Sequence, residues 1–354
     1  MKTLLVLFSA ALLTLAHLAG TARADTHDFF RGKRVEILVH APPGGTFDLH
    51  GRILARHMGK HLSPNTNMIV KNMPGGGGLV QANYLFHRAR PDGLNIGLVV
   101  SGAAQMEALG MSGVEFQSRK FNWIGLISDT VFLITSRKEA PIRTLDELLD
   151  PKREPLIFGT SSPPSSLYVV PAALNMVFEK AIGRPIFKMV TGYAGVGVLR
   201  PALERNEIDG MPWTWDAIKG TAPHFLEPAP RKGYLNLIGY AGVGRYAELA
   251  ELGVPNIPDR VKDRQDRALL DFLNAGPRTM WSVAAPPGAP TARVQVLREA
   301  FMKTMADPEY RAEIKRLNLT LNPMPANELT KVVDGILETP REVIAIAKKL
   351  FEKK

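Results

Sequence analysis

The feature that most constrains the fold is a recurring unit: a short apolar β-rich run, a break of glycine and proline, then a segment of helical period. Its first instance is "VEILVHAPPGGTFDLHGRILARHM". Residues 35–40 make the strand, Pro42, Pro43, Gly44 and Gly45 break it, and Leu49, Ile53, Leu54 and Met58 mark one helix face at i, i+4, i+5 and i+9. "NMIVKN" (67–72) ends on Pro74 and Gly75 to Gly78 and passes into "LVQANYLFHRA"; Asp92-Gly93 then turns the chain into "LNIGLVV". "LIFGTSS" and "IFKMVTGY" are further strand-to-loop units with helical patterns behind them. A strand that reaches the next one through a helix pairs with it in parallel. The alternation therefore predicts an α/β fold of mostly parallel sheets with helices on both faces. "WIGLISDTVFLITS" and the region near "LNLIGYAG" read as two crossings, so that residues 33–128 with about 240–354 form one domain around a second, about 129–239.

The N-terminus reads as an export signal. One cation at Lys2 precedes an uncharged apolar run from Leu4 to Ala19, and Ala22-Arg23-Ala24 is a small-x-small site that predicts cleavage after Ala24. No later segment offers the roughly 18 to 20 apolar residues of a membrane span. With no cysteine the fold needs no disulfides, and about 330 residues after the signal are ample for two cores. Lys and Arg number 44 against 34 Asp and Glu, a formal charge of +10, or +8 without Lys2 and Arg23. A basic surface favours anions, but the cations are dispersed and no aromatic-basic motif of an RNA or DNA module is present, which excludes nucleic acid as a partner.

The glycine breaks carry the chemistry. Gly44-Gly45 and Gly75 to Gly78 can take positive φ and expose N–H groups, and each following helix adds unpaired N–H groups and the positive end of its dipole. Two such turns in adjacent strand units suit a carboxylate. Neither is a phosphate-binding loop of the Gly-Lys-Ser/Thr kind, and "GYAGVG" lacks dinucleotide spacing.

"PPGGTFDLHGRILARHM", "VKNMPGGGGLVQANYLF", "ARPDGLNIGLV", "LIFGTSS", "VTGYAGVGVLRPALERNEIDG" and "APPGAPTARVQVLREAFMKTMADPEY" stand in the order, and at about the spacing, of the tripartite tricarboxylate transporter receptors. Across nearly the whole chain after the signal, the sequence resembles this family, also called Bug or TctC. The resemblance implies a periplasmic receptor of the two-domain periplasmic binding protein type II-like fold, with a small carboxylate shut in a cleft between domains. It implies main-chain and hydroxyl donors and ordered water in place of a charged clamp. Carried over residue by residue, it assigns ligand contacts to Gly44, Gly45, Thr46 and Asp48, to Pro74, Gly75, Gly76, Gly77 and Gly78, and to Ser101. On the second domain it assigns Thr160, Ser161, Ser162 and Tyr193. Pro163-Pro164 stand where the family has small residues and a glycine, and Asn206 stands in place of its usual glycine.

Trp213 and Trp215, in "GMPWTWDAIKG", share a face if this stretch is a strand. They are expected either to stack on a planar ligand or to fill a core face. Asp48, in a first helical turn, also suits a loop brace. His57 and His61 have the i, i+4 spacing of metal ligands but no glutamate between them, and read as surface histidines. Ser161, Ser162, Ser165 and Ser166 lack a Gly-x-Ser-x-Gly elbow, so an exported hydrolase finds no paired base. The sequence thus reads as a non-enzymatic receptor without metal or cofactor, expected to be a monomer. Its expected partners are a carboxylate and either the permease subunits of a tripartite transporter or a sensor kinase.

Overall fold

The computed structural model describes residues 28–162, 165–227 and 233–352. The expected signal segment, its cleavage site and Pro163-Pro164 lie outside the described residues. Among the described residues no helix is long and apolar enough to cross a membrane.

The strand-to-helix units fold as read. β1 (Arg34–Val39) carries Val35, Ile37, Leu38 and Val39 into the interior on both faces, the pattern of a central strand. The helix Thr46–Leu62 follows and buries Ile53, Leu54 and Met58 against it. β2 (Asn67–Asn72) and β3 (Asn95–Leu98) both pair with β1 in parallel, each reached through its own crossover. β4 (Asn122–Leu126) ends this first run. The chain then passes through 127–131 into β5 (Phe132–Arg137), and β6 (Leu156–Gly159), β7 (Phe187–Val190), β8 (Gly210–Thr214) and β9 (Leu235–Ala241) complete a second sheet in the order β7-β6-β8-β5-β9. β10 (Ser282–Ala285) and β11 (Met324–Pro325) return to the first sheet, whose order is β11-β4-β10-β3-β1-β2.

Both sheets are mixed, which qualifies the expectation of mostly parallel strands. β6 is parallel to β7 and β8 because helices connect them. β5 is antiparallel to β8 and β9, and β10 is antiparallel to β3 and β4, because these strands enter from the other sheet and run the opposite way. The periodicity of a single strand does not record from which end the chain enters.

Helix ends obey the local chemistry. Thr144 and Glu147 form the reciprocal capping box, with the Glu147 N–H donating to Thr144 Oγ1 at 3.2 Å and the Thr144 N–H donating to Glu147 Oε2 at 3.2 Å. Asp307 caps the helix Pro308–Arg316 by accepting from the Glu309 N–H at 2.9 Å. His57 and His61 face that helix: their Nε2 atoms lie 2.7 Å from Glu313 and 2.7 Å from Asp307, and Lys60 joins Asp307 to Glu309. His57, Asp307 and Glu309 lie close enough to share an ion, but each is engaged in this network. The histidines therefore clip the helix Thr46–Leu62 to its neighbour.

The apolar core does not divide between the sheets. One cluster joins Leu38 and Leu85 of the first sheet and its helix to Phe158 and Leu174 of the second, and takes in Val343 and Leu350 of the final helix, Arg341–Glu352. Close packing extends to the β5–β8 ladder: a Cβ added at Gly210 would lie 2.4 Å from the Thr135 carbonyl oxygen. Gly210→Ala is expected to lower stability by about 1–3 kcal/mol, the usual range for overpacking, read as a lower urea midpoint with unchanged m.

Candidate functional site

The parallel strands of the first sheet present their C-terminal ends as one rim. At its centre Asp48, only 3% exposed, is tied at both carboxylate oxygens. Oδ2 accepts from the Gly44 N–H at 2.9 Å and from Arg52 Nε at 2.8 Å, and Oδ1 accepts from Asn72 Nδ2 at 2.9 Å. Asn72 also donates to the Ala41 carbonyl at 2.9 Å. The Arg52 hydrogen bond above all, helped by Gly44 and Asn72, holds the Asp48 carboxyl down at about 2. Asp48 is thus the brace that joins the first turn, its helix and the end of β2, with both oxygens bonded within that network.

The turns themselves split. Gly44 (φ +86°) and Gly75, Gly76, Gly77 and Gly78 (φ +135°, +55°, +63° and +103°) all use the left-handed half of φ space. Gly45 does not: at φ −76° it is the extended cap of the helix, so its value lies in small size alone. Thr46 opens that helix, where N–H groups have no intrahelical acceptor. Pro74 leads into the glycine run, whose last member packs so tightly that a Cβ on Gly78 would sit 2.7 Å from Val100 and 3.3 Å from the His40 ring. Beneath the rim, tilted rings pack in a chain: His40 to Phe47 at 4.0 Å, Phe47 to Trp281 at 4.3 Å, Trp281 to His50 at 4.2 Å. Burial lowers His50 to about 4, so this imidazole is neutral at pH 7. No sequence motif marks Trp281 or His50 as support for the turn; only the fold brings them together.

The second sheet presents a matching edge. The Thr160 N–H donates to the Val190 carbonyl at 2.8 Å, and the Tyr193 N–H reaches the Thr160 carbonyl at 3.3 Å, which knits the loops after β6 and β7. Thr160 Oγ1 and Ser161 Oγ are buried without a hydrogen-bond partner, while Ser162 is exposed. Asn206, at the position of the family's glycine, keeps a left-handed conformation (φ +59°) that asparagine tolerates.

The tryptophans correct the ligand-stacking expectation. Trp213 is fully buried edge-on to Phe225, with ring centroids 5.8 Å apart. Trp215 is not on a strand at all: it opens the helix Trp215–Thr221, is 1% exposed and donates its indole N–H to Glu248 at 2.7 Å. Both fill one core with Leu199, Leu203 and Leu237, where burial of their large apolar surface stabilises more than exposure in a cleft.

Between the sheets lies a cavity of about 370 Å³. Ser101, Gly276 and Met280 line it from the first sheet and its helices; Phe132, Ser166 and Val170 line it from the second. The Ser101 hydroxyl donates to the Gly276 carbonyl at 2.6 Å. Of the residues assigned ligand contacts from sequence, Ser101 alone lines this space; Ser166, weighed there only as a hydrolase serine, lines it as well. The two glycine turns stand on one rim and Thr160, Ser161, Ser162 and Tyr193 on the other edge. Among the described residues no hydrogen bond or ion pair joins the two sets across the gap. Phe132 follows a crossing, Ser166 begins a helix and Gly276 sits in "NAGPRTM"; the serine run was visible in the sequence, but nothing in its spacing points across to Gly276.

A second cavity, of about 380 Å³, lies where the chain passes between sheets and is lined by Asp129, Tyr246, Arg278 and Asn322 among others. Asn322 donates to Asp129 at 2.9 Å, and the Thr320 hydroxyl bonds Asp216. Burial raises both carboxyls above their ordinary range.

No protein-family model matches the chain. A UPF0065 protein from the TAR-I ttuE-ttuC' intergenic region of Agrobacterium vitis is 26% identical over 304 residues, 85% of this chain and 79% of that protein. Among solved structures, a TctC solute-binding protein from Polaromonas superposes with a TM-score of 0.67 at 21% identity, covering 91% of this chain and 98% of the other. The periplasmic binding protein BugD superposes at 0.54 with 19% identity, over 90% and 97%. The fold is that of the TctC and Bug periplasmic binding proteins. A Rhodopseudomonas palustris protein solved with adipate shares this TctC/Bug fold at a TM-score of 0.58 and 16% identity, over 89% and 97%.

Because the folded Asp48 carboxyl sits below its unfolded value of about 4, its stabilisation is complete above that pH and is lost as pH falls toward about 2. Asp48→Asn is expected to flatten the acid limb of the stability curve between about pH 4 and 2, read by urea unfolding at a series of pH values, and to lower stability at pH 7 by about 1–3 kcal/mol.

Proposed function

We propose that the protein is a periplasmic solute-binding receptor that captures a small organic acid by closing two lobes and hands it to a tripartite tricarboxylate-type permease. The observation that carries the reading is the cavity bounded by Ser101 from the first sheet and Ser166 from the second, between the C-terminal ends of both sets of parallel strands. In an open α/β sheet this is where ligands collect. The TctC and Bug fold supports the receptor class and the periplasm, in keeping with the N-terminal signal pattern, and the adipate held by one neighbour supports a carboxylate.

The lobes are 33–128 with about 240–354, and about 129–239. The strand content supports this division, since the first sheet draws on 34–126 and 282–325 and the second on 132–241. Closure brings the glycine rim toward Thr160, Ser161, Ser162 and Tyr193, and the ligand's charge meets N–H and hydroxyl donors. Binding without turnover, as a monomer, completes the reading.

A bound acid at about 100 times its dissociation constant is expected to raise unfolding free energy by roughly 2.7 kcal/mol, seen as a thermal shift with no product by chromatography. Gly76→Val, which forces a β-branched residue to φ +55°, is expected to weaken binding about tenfold or more, the loss of one charge-assisted hydrogen bond. Calorimetry on the folded variant reads this, and steady product formation from the stabilising ligand would refute the receptor. Arg52 is no neutral control, because it holds Asp48.

A further inference from the structure

The cavity between the sheets is poor in groups that answer a negative charge. Among the described residues no Lys, Arg or His lines it, and the only hydroxyls on its wall are those of Ser101 and Ser166. Ser101 already donates to the Gly276 carbonyl, and the Gln105 amide, the other polar side chain on the wall, donates to the Phe272 carbonyl at 2.8 Å. Ser166 differs. It is exposed at the first position of the helix Ser166–Ile182, where its N–H belongs to the donors that no helical carbonyl can reach. The rest of the lining is apolar, with Met106, Met280, Phe132 and Val170 contributed by four separate segments. The volume of about 370 Å³ falls in the range of small-molecule pockets.

Such a wall suits the apolar body of a ligand whose one carboxylate stays at the rims. A second carboxylate on the same ligand would leave water for a surface of thioether, ring and methyl groups without finding donors, and that desolvation opposes entry. An alkyl chain or aromatic ring in the same place gains by leaving water, and methionine adapts to irregular shapes.

We infer that this cavity selects organic acids with a single carboxylate and an apolar body, an alkyl chain or an aromatic ring, over dicarboxylates of the same length. The inference rests on the receptor reading and adds the ligand's chemical class to it. The carboxylate meets the donors that the closing rims present, Ser166 among them, and the apolar body lies in the cavity against Met106, Phe132 and Met280.

Hexanoate and adipate make the matched pair, since they share a six-carbon backbone and differ by one terminal carboxylate; benzoate is the aromatic arm. Titration calorimetry on the full chain after the signal is expected to give hexanoate or benzoate at least tenfold tighter than adipate. Met106→Trp, at a half-buried position, fills the cavity and is expected to reduce hexanoate affinity at least tenfold at an unchanged thermal midpoint. Adipate binding as tightly as hexanoate, or Met106→Trp leaving hexanoate affinity unaltered, overturns the inference while the receptor reading stands. No binding by any of the three acids overturns both. If Met106→Trp does not fold, the hexanoate-to-adipate ratio in the unmodified protein decides alone.

Discussion

The rim of turns at the C-terminal edge of the first sheet depends on one buried charge. Asp48 faces inward from the first turn of a helix, and its two oxygens receive a main-chain N–H from the turn before it, a guanidinium from the turn after it and an amide from the neighbouring strand end. An unpaired carboxylate in this place would cost several kcal/mol, so the three donors hold one another in position through it. The glycine turn is therefore an ordered surface before any ligand arrives, and a preorganised surface loses less entropy when it binds. The close-packed, tilted rings of His40, Phe47, Trp281 and His50 give that surface a stiff floor.

The second sheet solves the same problem with less charge. Its loops after β6 and β7 are joined by main-chain hydrogen bonds through Thr160, and its tryptophans anchor the far side of the sheet in a core of aliphatic residues. The two sheets are not separate bodies held by bare linkers. A shared apolar cluster and the final helix run between them, and three stretches of chain around 129–131, 242–246 and 320–322 meet at a polar cavity.

Much of this was legible in the sequence because each signal was local. The strand-to-helix units, the Thr144 box, the Asp307 cap and the left-handed glycines at 44 and 75 to 78 all report backbone chemistry within a few residues. The readings that failed needed knowledge of tertiary partners. The period of "WTW" fits a ligand-facing strand and a core face equally well, and burial between Leu199 and Leu237 decided for the core. Gly45 looked like its neighbour Gly44 but serves as an extended cap. The i, i+4 histidines read as surface residues, but Glu313 and Asp307, some 250 residues on, hold them half-buried between two helices. Gly276 and Met280 carry no motif, because a cavity wall asks only for shape and apolar surface.

The cavity wall also has a temporal meaning. It draws on Ser101, on Phe132 and Ser166, on Gly276, and finally on Phe351 in the last helix. A chain that has folded both sheets but has not yet docked that helix has a pocket open on one side, with Phe351 absent from its lining. On the proposed receptor reading, retention of a ligand then requires the docked C-terminal helix as well as the two formed sheets.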